Sequence, residues 1–206
     1  MIQTGEFDMF TTPVKVSKSI LDNIVLANYI LDFCKDNEGR LNTQNPKGRL
    51  VSNEGGFQSK DIDLEYHKRL KPLYAFLQEQ ADEFASNLGL PKVILDNLWF
   101  NINGYKDYNQ DHRHAGCIFS GVYYIQTPEK SGDIMFTSPA ATELEAYWDE
   151  HIKDKNNHPR TNIHCTCKAE AGVMYLFPSF LTHGVLPNLN ETEKRISVAF
   201  NFKKML

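Results

Sequence analysis

Arg195-Ile196-Ser197-Val198-Ala199-Phe200-Asn201-Phe202 is the stretch that decides the architecture. In an extended chain, alternation sends Arg195, Ser197 and Ala199 to one face and Ile196, Val198 and Phe200 to the other. The second face belongs against a core, while the first carries a guanidinium and a hydroxyl inward. Upstream, after Pro91, the same kind of run recurs at 98–102, 121–125, 133–136 and 172–177, each rich in β-branched or aromatic residues. Gly, Pro, Asn or Asp lie between the runs. Many short strands with irregular connections predict a mainly β fold, a sandwich or barrel of the jelly-roll type with flanking α-helices.

The part before residue 91 reads differently. Ser17 or Ser19 caps an expected helix running through about Cys34, with Ile20, Ile24, Ala27, Ile30 and Leu31 at three-to-four spacing. Residues 37–60, rich in Asn, Gly and Lys, read as mostly loop. A second amphipathic helix is expected from about Asp63 to Leu88, with Gly89 as its stop; Pro72 either kinks it or marks its true start. The polar insert at 140–160 holds a short helix near Glu143–Ile152. The expected organisation is one domain over 1–206, with a helical support region at 1–90 and a jelly-roll core at 91–206.

Composition narrows the function. The chain has 206 residues, 22 Lys plus Arg against 26 Asp plus Glu, and a net charge of −4, which argues against phosphate-driven binding of nucleic acid. No apolar run approaches the roughly 20 residues that cross a bilayer. Met1–Phe10 lacks the basic-then-apolar pattern of a leader, so a cytoplasmic location is expected, that of the host if the gene is viral. Four cysteines are ordinary usage for reduced thiols. A metal site at His164-Cys165-x-Cys167 is conceivable, but no second ligand pair follows at zinc-ribbon spacing.

Three features carry chemistry. His112 and His114 stand at i and i+2 on an extended segment, so both imidazoles can reach one metal; the bland alternative is two solvated loop histidines. His183, some 70 residues later at a strand end, suits a barrel whose opposite strands converge at the mouth; otherwise it is a satisfied core histidine. Arg195 on an inward face needs an anion, which a dicarboxylate co-substrate would supply with help from the Ser197 hydroxyl, unless its head stays in water.

Together these residues resemble the 2-oxoglutarate/Fe(II) dioxygenase superfamily that includes the prolyl hydroxylases. More narrowly, Asn101-Ile102-Asn103, Asn109-x-x-His112-x-His114, Ser120-Gly121-Val122-Tyr123-Tyr124, Phe177-Pro178-Ser179-x-x-x-His183-Gly184-Val185 and Arg195-Ile196-Ser197-Val198-Ala199-Phe200-Asn201 are similar to a family of such oxygenases in bacteria and marine viruses. Ser52–Ser59 fits the same style. The resemblance spans about 50–202 and implies a double-stranded β-helix, a distorted jelly roll, with His112 and His183 on iron. It also implies that Tyr124, Arg195 and Ser197 hold the far carboxylate of 2-oxoglutarate. One departure stands out. The superfamily has Asp or Glu where this chain has His114, so His112, His114 and His183 become the expected ligand set, with Asp111 or Asp107 as substitutes at the wrong spacing.

The expected reaction is hydroxylation of an unidentified small molecule or peptide by dioxygen, with release of succinate and carbon dioxide; a homo-oligomer is possible. Trp99, Phe100, Tyr105, Tyr108, Phe136 and Phe177 are candidates to line the pocket. Two rival readings remain. A cupin, also a metal-binding jelly roll, wants Glu where Ile118 and Phe119 stand and Gly where Phe180 stands, and has no use for Arg195. A metal-free viral structural or binding protein on the same fold would leave the histidines incidental.

Overall fold

A computed structural model describes residues 8, 10–37, 39, 52–63, 65–152 and 160–205. The strands are β1 (Lys15–Lys18), β2 (Asn53–Glu54), β3 (Phe57–Gln58), β4 (Val93–Asn103), β5 (Tyr108–His112), β6 (Phe119–Gln126), β7 (Ile134–Thr137), β8 (His164–Cys167), β9 (Val173–Pro178), β10 (His183–Val185) and β11 (Arg195–Lys204). The α-helices are α1 (Asn23–Asp36), α2 (Lys71–Asn87) and α3 (Ala141–Tyr147).

The strands form two antiparallel sheets. The major sheet runs β1-β9-β6-β11-β4-β3 and the minor sheet β2-β5-β10-β7-β8. Every expected strand is present. The alternation read in β11 holds: Ile196, Val198 and Phe200 are fully buried against α1 and α2, together with Leu98, Phe100 and Ile102 of β4. A second core fills the space between the sheets, with Val122, Tyr124, Tyr175 and Phe177 from the major sheet meeting Ile134 and Phe136 from the minor one. Helices on one side and a second sheet on the other cover both faces of the major sheet, which is why β6 and β9 are buried almost throughout.

The N-terminal part is more than helical. It adds β1 to one edge of the major sheet, β3 to the other, and β2 to the minor sheet. Neither serine caps α1. Asp22 does, its carboxylate accepting from the Ile24 and Val25 amides at 3.0 and 3.1 Å. Ser17 lies in β1, and the Ser19 hydroxyl is already engaged with the Tyr123 hydroxyl at 2.6 Å. Ile20 and Ile24 are accordingly exposed, and Leu26, Ala27 and Ile30 form the buried face. Pro72 sits in the first turn of α2, marking the helix's start rather than a kink, because that turn needs no amide donor from it. In the polar insert, α3 covers the first half of the expected helix and a 3-10 turn follows at Asp149–His151; residues 153–159 of the insert, like residues 38 and 40–51 of the expected loop, lie outside the described residues.

Candidate active site

Strand pairing builds the histidine cluster. β10 lies between β5 and β7 in the minor sheet, and its register puts His183 opposite both His112 and Phe136. Gly184, the next residue, permits this pairing: a Cβ there would stand 2.3 Å from Asp111 Oδ1 and 3.0 Å from the Asn109 carbonyl. His114 follows β5 in a segment tied to the β9–β10 turn by its amide, which donates to the Ser179 carbonyl at 3.0 Å. Ring centroids are 4.3 Å apart for His112 and His183, 4.8 Å for His112 and His114, and 5.3 Å for His114 and His183. One ring nitrogen from each falls within 4.8 Å of the others. Among the described residues no other group of His, Cys, Asp or Glu converges in this way, His164, Cys165 and Cys167 included.

Two of the three rings are oriented by the backbone. His112 Nδ1 donates to the Gln110 carbonyl at 2.7 Å, and His183 Nδ1 donates to the Leu181 carbonyl at 2.9 Å. A carbonyl only accepts, so the proton sits on Nδ1 and the Nε2 lone pair is left for a metal. Burial disfavours the imidazolium at all three positions. It lowers His112, lowers His114 to about 4 with help from neighbouring His112, and lowers His183 well below the usual histidine value. Neutral imidazoles are the form that ligates.

Aromatic side chains wall the cluster. Trp99 stands 5.8 Å from His114, and Phe177 and Phe136 stand 4.5 and 6.4 Å from His183 between ring centroids. Phe100, expected to line the pocket, does not. It lies on the opposite face of β4, edge-on to Phe33 in the helix-side core, as strand alternation between Trp99 and Asn101 requires. Tyr105 and Tyr108 are exposed.

Arg195 is 1% exposed. Its Nη1 donates to the carbonyls of Ser131, of Gly132 at 3.3 Å and of Leu186 at 2.9 Å. Gly132 has a φ of +83°, and a Cβ there would collide with the Leu186 carbonyl at 2.1 Å, so the cage demands glycine. Among the described residues Nη2 has no partner, and neither has the Tyr124 hydroxyl, which is also fully buried. Ser197 pairs in register with Tyr124 on the same wall. Burial lowers the Arg195 pKa, opposed by Tyr124, Asp107 and Asp133; it raises that of Tyr124, opposed by Arg195. A buried cation and a phenol, each with an unused donor, fit an anion with acceptor oxygens. The expected site residues thus fall into two groups between the sheets: three imidazoles, and a guanidinium with a phenol and a hydroxyl.

Three buried amides escaped the sequence reading as site residues, although Asn101 and Asn103 were quoted for the resemblance. Gln58, Asn101 and Asn103 are each at most 5% exposed. The available signal was the placing of amides at inward positions of strands whose other face is apolar.

The fold and the donor set have relatives. Residues 97–201, just over half of the chain, match the family described as "Putative 2OG-Fe(II) oxygenase", and the chain belongs to that family. Membership decides against the cupin and structural readings and brings Fe(II) and 2-oxoglutarate as metal and co-substrate. Among solved structures, a prolyl-4-hydroxylase of Pseudomonas putida superposes with a TM-score of 0.62 at 15% identity, over 95% of each chain. A prolyl hydroxylase of Trichoplax adhaerens, solved with a hypoxia-inducible-factor peptide, gives 0.67 at 11% identity over 94% of this chain and 84% of its own. The α-ketoglutarate-dependent epimerase SnoN of nogalamycin biosynthesis gives 0.64 at 14% over 94% and 79%. At these identities the likeness establishes the fold, a double-stranded β-helix. No curated protein matches the chain in sequence. No helix among the described residues is long and apolar enough to cross a membrane.

Proposed function

We propose that the protein is a hydroxylase that inserts oxygen into a C–H bond of a small molecule or peptide, with His112, His114 and His183 as iron ligands and Tyr124, Arg195 and Ser197 as the far-carboxylate site. The observation that carries the reading is the pair of unused buried donors, Arg195 Nη2 and Tyr124 Oη, on the wall that also bears Ser197. A 2-oxoglutarate carboxylate accepts from both.

The iron supplies, when bound, oxidative decarboxylation of the co-substrate by dioxygen and oxidation of the substrate. The rest is work for this chain. The Gln110 and Leu181 carbonyls hold the His112 and His183 protons on Nδ1, keeping Nε2 free. Arg195, fixed by its three carbonyls, neutralises and orients the distal carboxylate, and Tyr124 donates to it. Trp99, Phe136 and Phe177 keep water from the reacting groups. Three neutral imidazoles leave the metal's charge uncompensated by protein, which strengthens its demand for an anionic co-substrate. We further read residues 1–206 as one functional domain, 1–90 supporting the core at 91–206, working in a cytoplasm (a host's, if the gene is viral) where its four thiols stay free.

Incubating the protein with Fe(II), 2-oxoglutarate and dioxygen tests the reading. Succinate release that needs all three supports it. Absence of succinate from iron-loaded protein contradicts it, and an epimerised or desaturated product without added oxygen contradicts the hydroxylase outcome alone.

A further inference from the structure

Five buried side-chain atoms have no hydrogen-bond partner among the described residues: Gln58 Oε1, Asn101 Oδ1, Asn103 Oδ1, Tyr124 Oη and Arg195 Nη2. Register gathers all five residues on one wall. Gln58 pairs with Asn101, Asn101 with Ser197, Asn103 with Arg195, and Ser197 with Tyr124. The strand neighbours Phe57, Phe100, Ile102, Ile196 and Tyr123 pack into the helix-side core, so these five side chains face the space between the sheets.

The co-substrate does not account for all of them. Tyr124 and Arg195 suit its carboxylate. Asn103 is held in place: Asn53 Nδ2 donates to the Gly56 carbonyl, so Asn53 Oδ1 accepts from Asn103 Nδ2 at 2.8 Å. That leaves Asn103 Oδ1 as an unpaired acceptor on the residue that pairs in register with Arg195, whose Nη2 is an unpaired donor for the carboxylate. Gln58 and Asn101 remain. They are 4% and 5% exposed and adjacent across β3 and β4, and among the described residues neither amide oxygen finds a donor. Leaving such groups unpaired in a buried site is costly, so a ligand that pairs them gains affinity. Two residues before Asn101, on the same face of β4, the Trp99 ring stands 5.8 Å from that of His114, so the amide pair lies on the wall that runs on to the imidazole triad.

We propose that Gln58 and Asn101 form the substrate subsite and that the group they read is an uncharged amide, a peptide bond or a free carboxamide. The proposal rests on the oxygenase reading above and names its substrate class. Each carboxamide has one donor and one acceptor edge in a single plane, and the pair therefore matches a ligand group with both an N–H and a C=O. No charged side chain is the register partner of either residue, so an ionic group would lose hydration here without compensation. An amide satisfies both side chains, whereas an ester of the same shape leaves an acceptor unpaired. Sites built on such bonds reject the analogue that lacks them.

The experiment uses the full chain, loaded anaerobically with Fe(II) and 2-oxoglutarate. Calorimetry then measures binding of N-acetyl amino-acid N-methylamides, of simple carboxamides, and of the matching methyl esters. The expected result is amide binding at least tenfold tighter than that of the ester, with the better of the two amide series identifying a peptide or a free carboxamide as the source. Gln58→Leu and Asn101→Leu, near in size to the residues they replace, should reduce the preference below twofold, while 2-oxoglutarate affinity changes less than threefold. Esters that bind as well as amides, or no binding by either amide series, would overturn the proposal. So would a tenfold loss of 2-oxoglutarate affinity in both variants, which assigns the amides to the co-substrate. The wild-type preference needs no variant and stands even if a variant fails to fold. Failure of wild type to bind 2-oxoglutarate contradicts the oxygenase reading instead, and is measured before any amide is added.

Discussion

His183 faces His112 across the β5–β10 pair with ring centroids 4.3 Å apart, and each ring is pinned by a hydrogen bond from Nδ1 to the carbonyl two residues before it. Two strands remote in sequence thus present imidazoles in the same tautomer to the same point. His114, which has no such pin, reaches that point from the segment beyond β5.

The difference between these histidines is testable. His183→Ala should lower iron affinity by about a hundredfold or more, because it removes an oriented ligand and opens a buried site. His114→Asp should retain iron, since a carboxylate at that position offsets metal charge, whereas His114→Ala should lose much of it. Metal content after anaerobic dialysis measures all three. Full loading of the His183 variant would remove that residue from the site.

Burial of neutral imidazoles gives the metal-free protein a defined pH response. The folded state keeps His114 neutral down to about pH 4, while the unfolded chain takes up a proton below its ordinary value of 6.5. Between those limits the unfolded state binds more protons, so stability rises with pH through the window and is lost as pH falls through it. His112 and His183 are lowered in the same direction and add to the effect. Melting temperature of metal-free protein should fall steadily from pH 7 to pH 4.5, and His114→Gln should flatten the curve. An unchanged slope in that variant would contradict the assignment.

Tyr124→Phe separates binding from folding. The hydroxyl is buried without a partner among the described residues. Its removal should leave the ligand-free protein as stable, or more stable by about 1 kcal/mol, and weaken 2-oxoglutarate by about tenfold. Thermal melts with and without co-substrate check both halves. A destabilised apoprotein with unchanged affinity would show that the hydroxyl serves the fold.

Gly132→Ala tests the arginine cage. The added methyl would meet the Leu186 carbonyl at 2.1 Å, at a backbone φ of +83°. Strain of about 1–3 kcal/mol is expected, together with weaker 2-oxoglutarate binding, because the displaced carbonyls are those that hold Arg195 Nη1. Urea denaturation and a co-substrate titration measure the two effects.

Much of this was readable from the sequence, and the physical reason is alternation. β11 spells its two faces residue by residue, and the H-x-H pair and the distant His183, each open to a bland reading alone, became a ligand set once the family resemblance joined them. What escaped was set by tertiary contacts. β10 is three residues long and β5 is polar throughout, so neither carries a pattern; only their pairing makes them strands. Asp22 took the α1 cap because Ser17 and Ser19 were claimed by β1 and Tyr123. The Gln58–Asn101 pair could not be seen before β3 was laid against β4.

The central claim is that three imidazoles hold one ion while Arg195 holds the far end of the co-substrate. Anaerobic titration of 2-oxoglutarate into wild-type and Arg195→Ala protein, each with iron content measured, tests it most directly. The account predicts one iron per chain in both proteins, and 2-oxoglutarate affinity at least thirtyfold weaker in the variant. Equal affinity in the two proteins, or wild type that retains no iron, would contradict it.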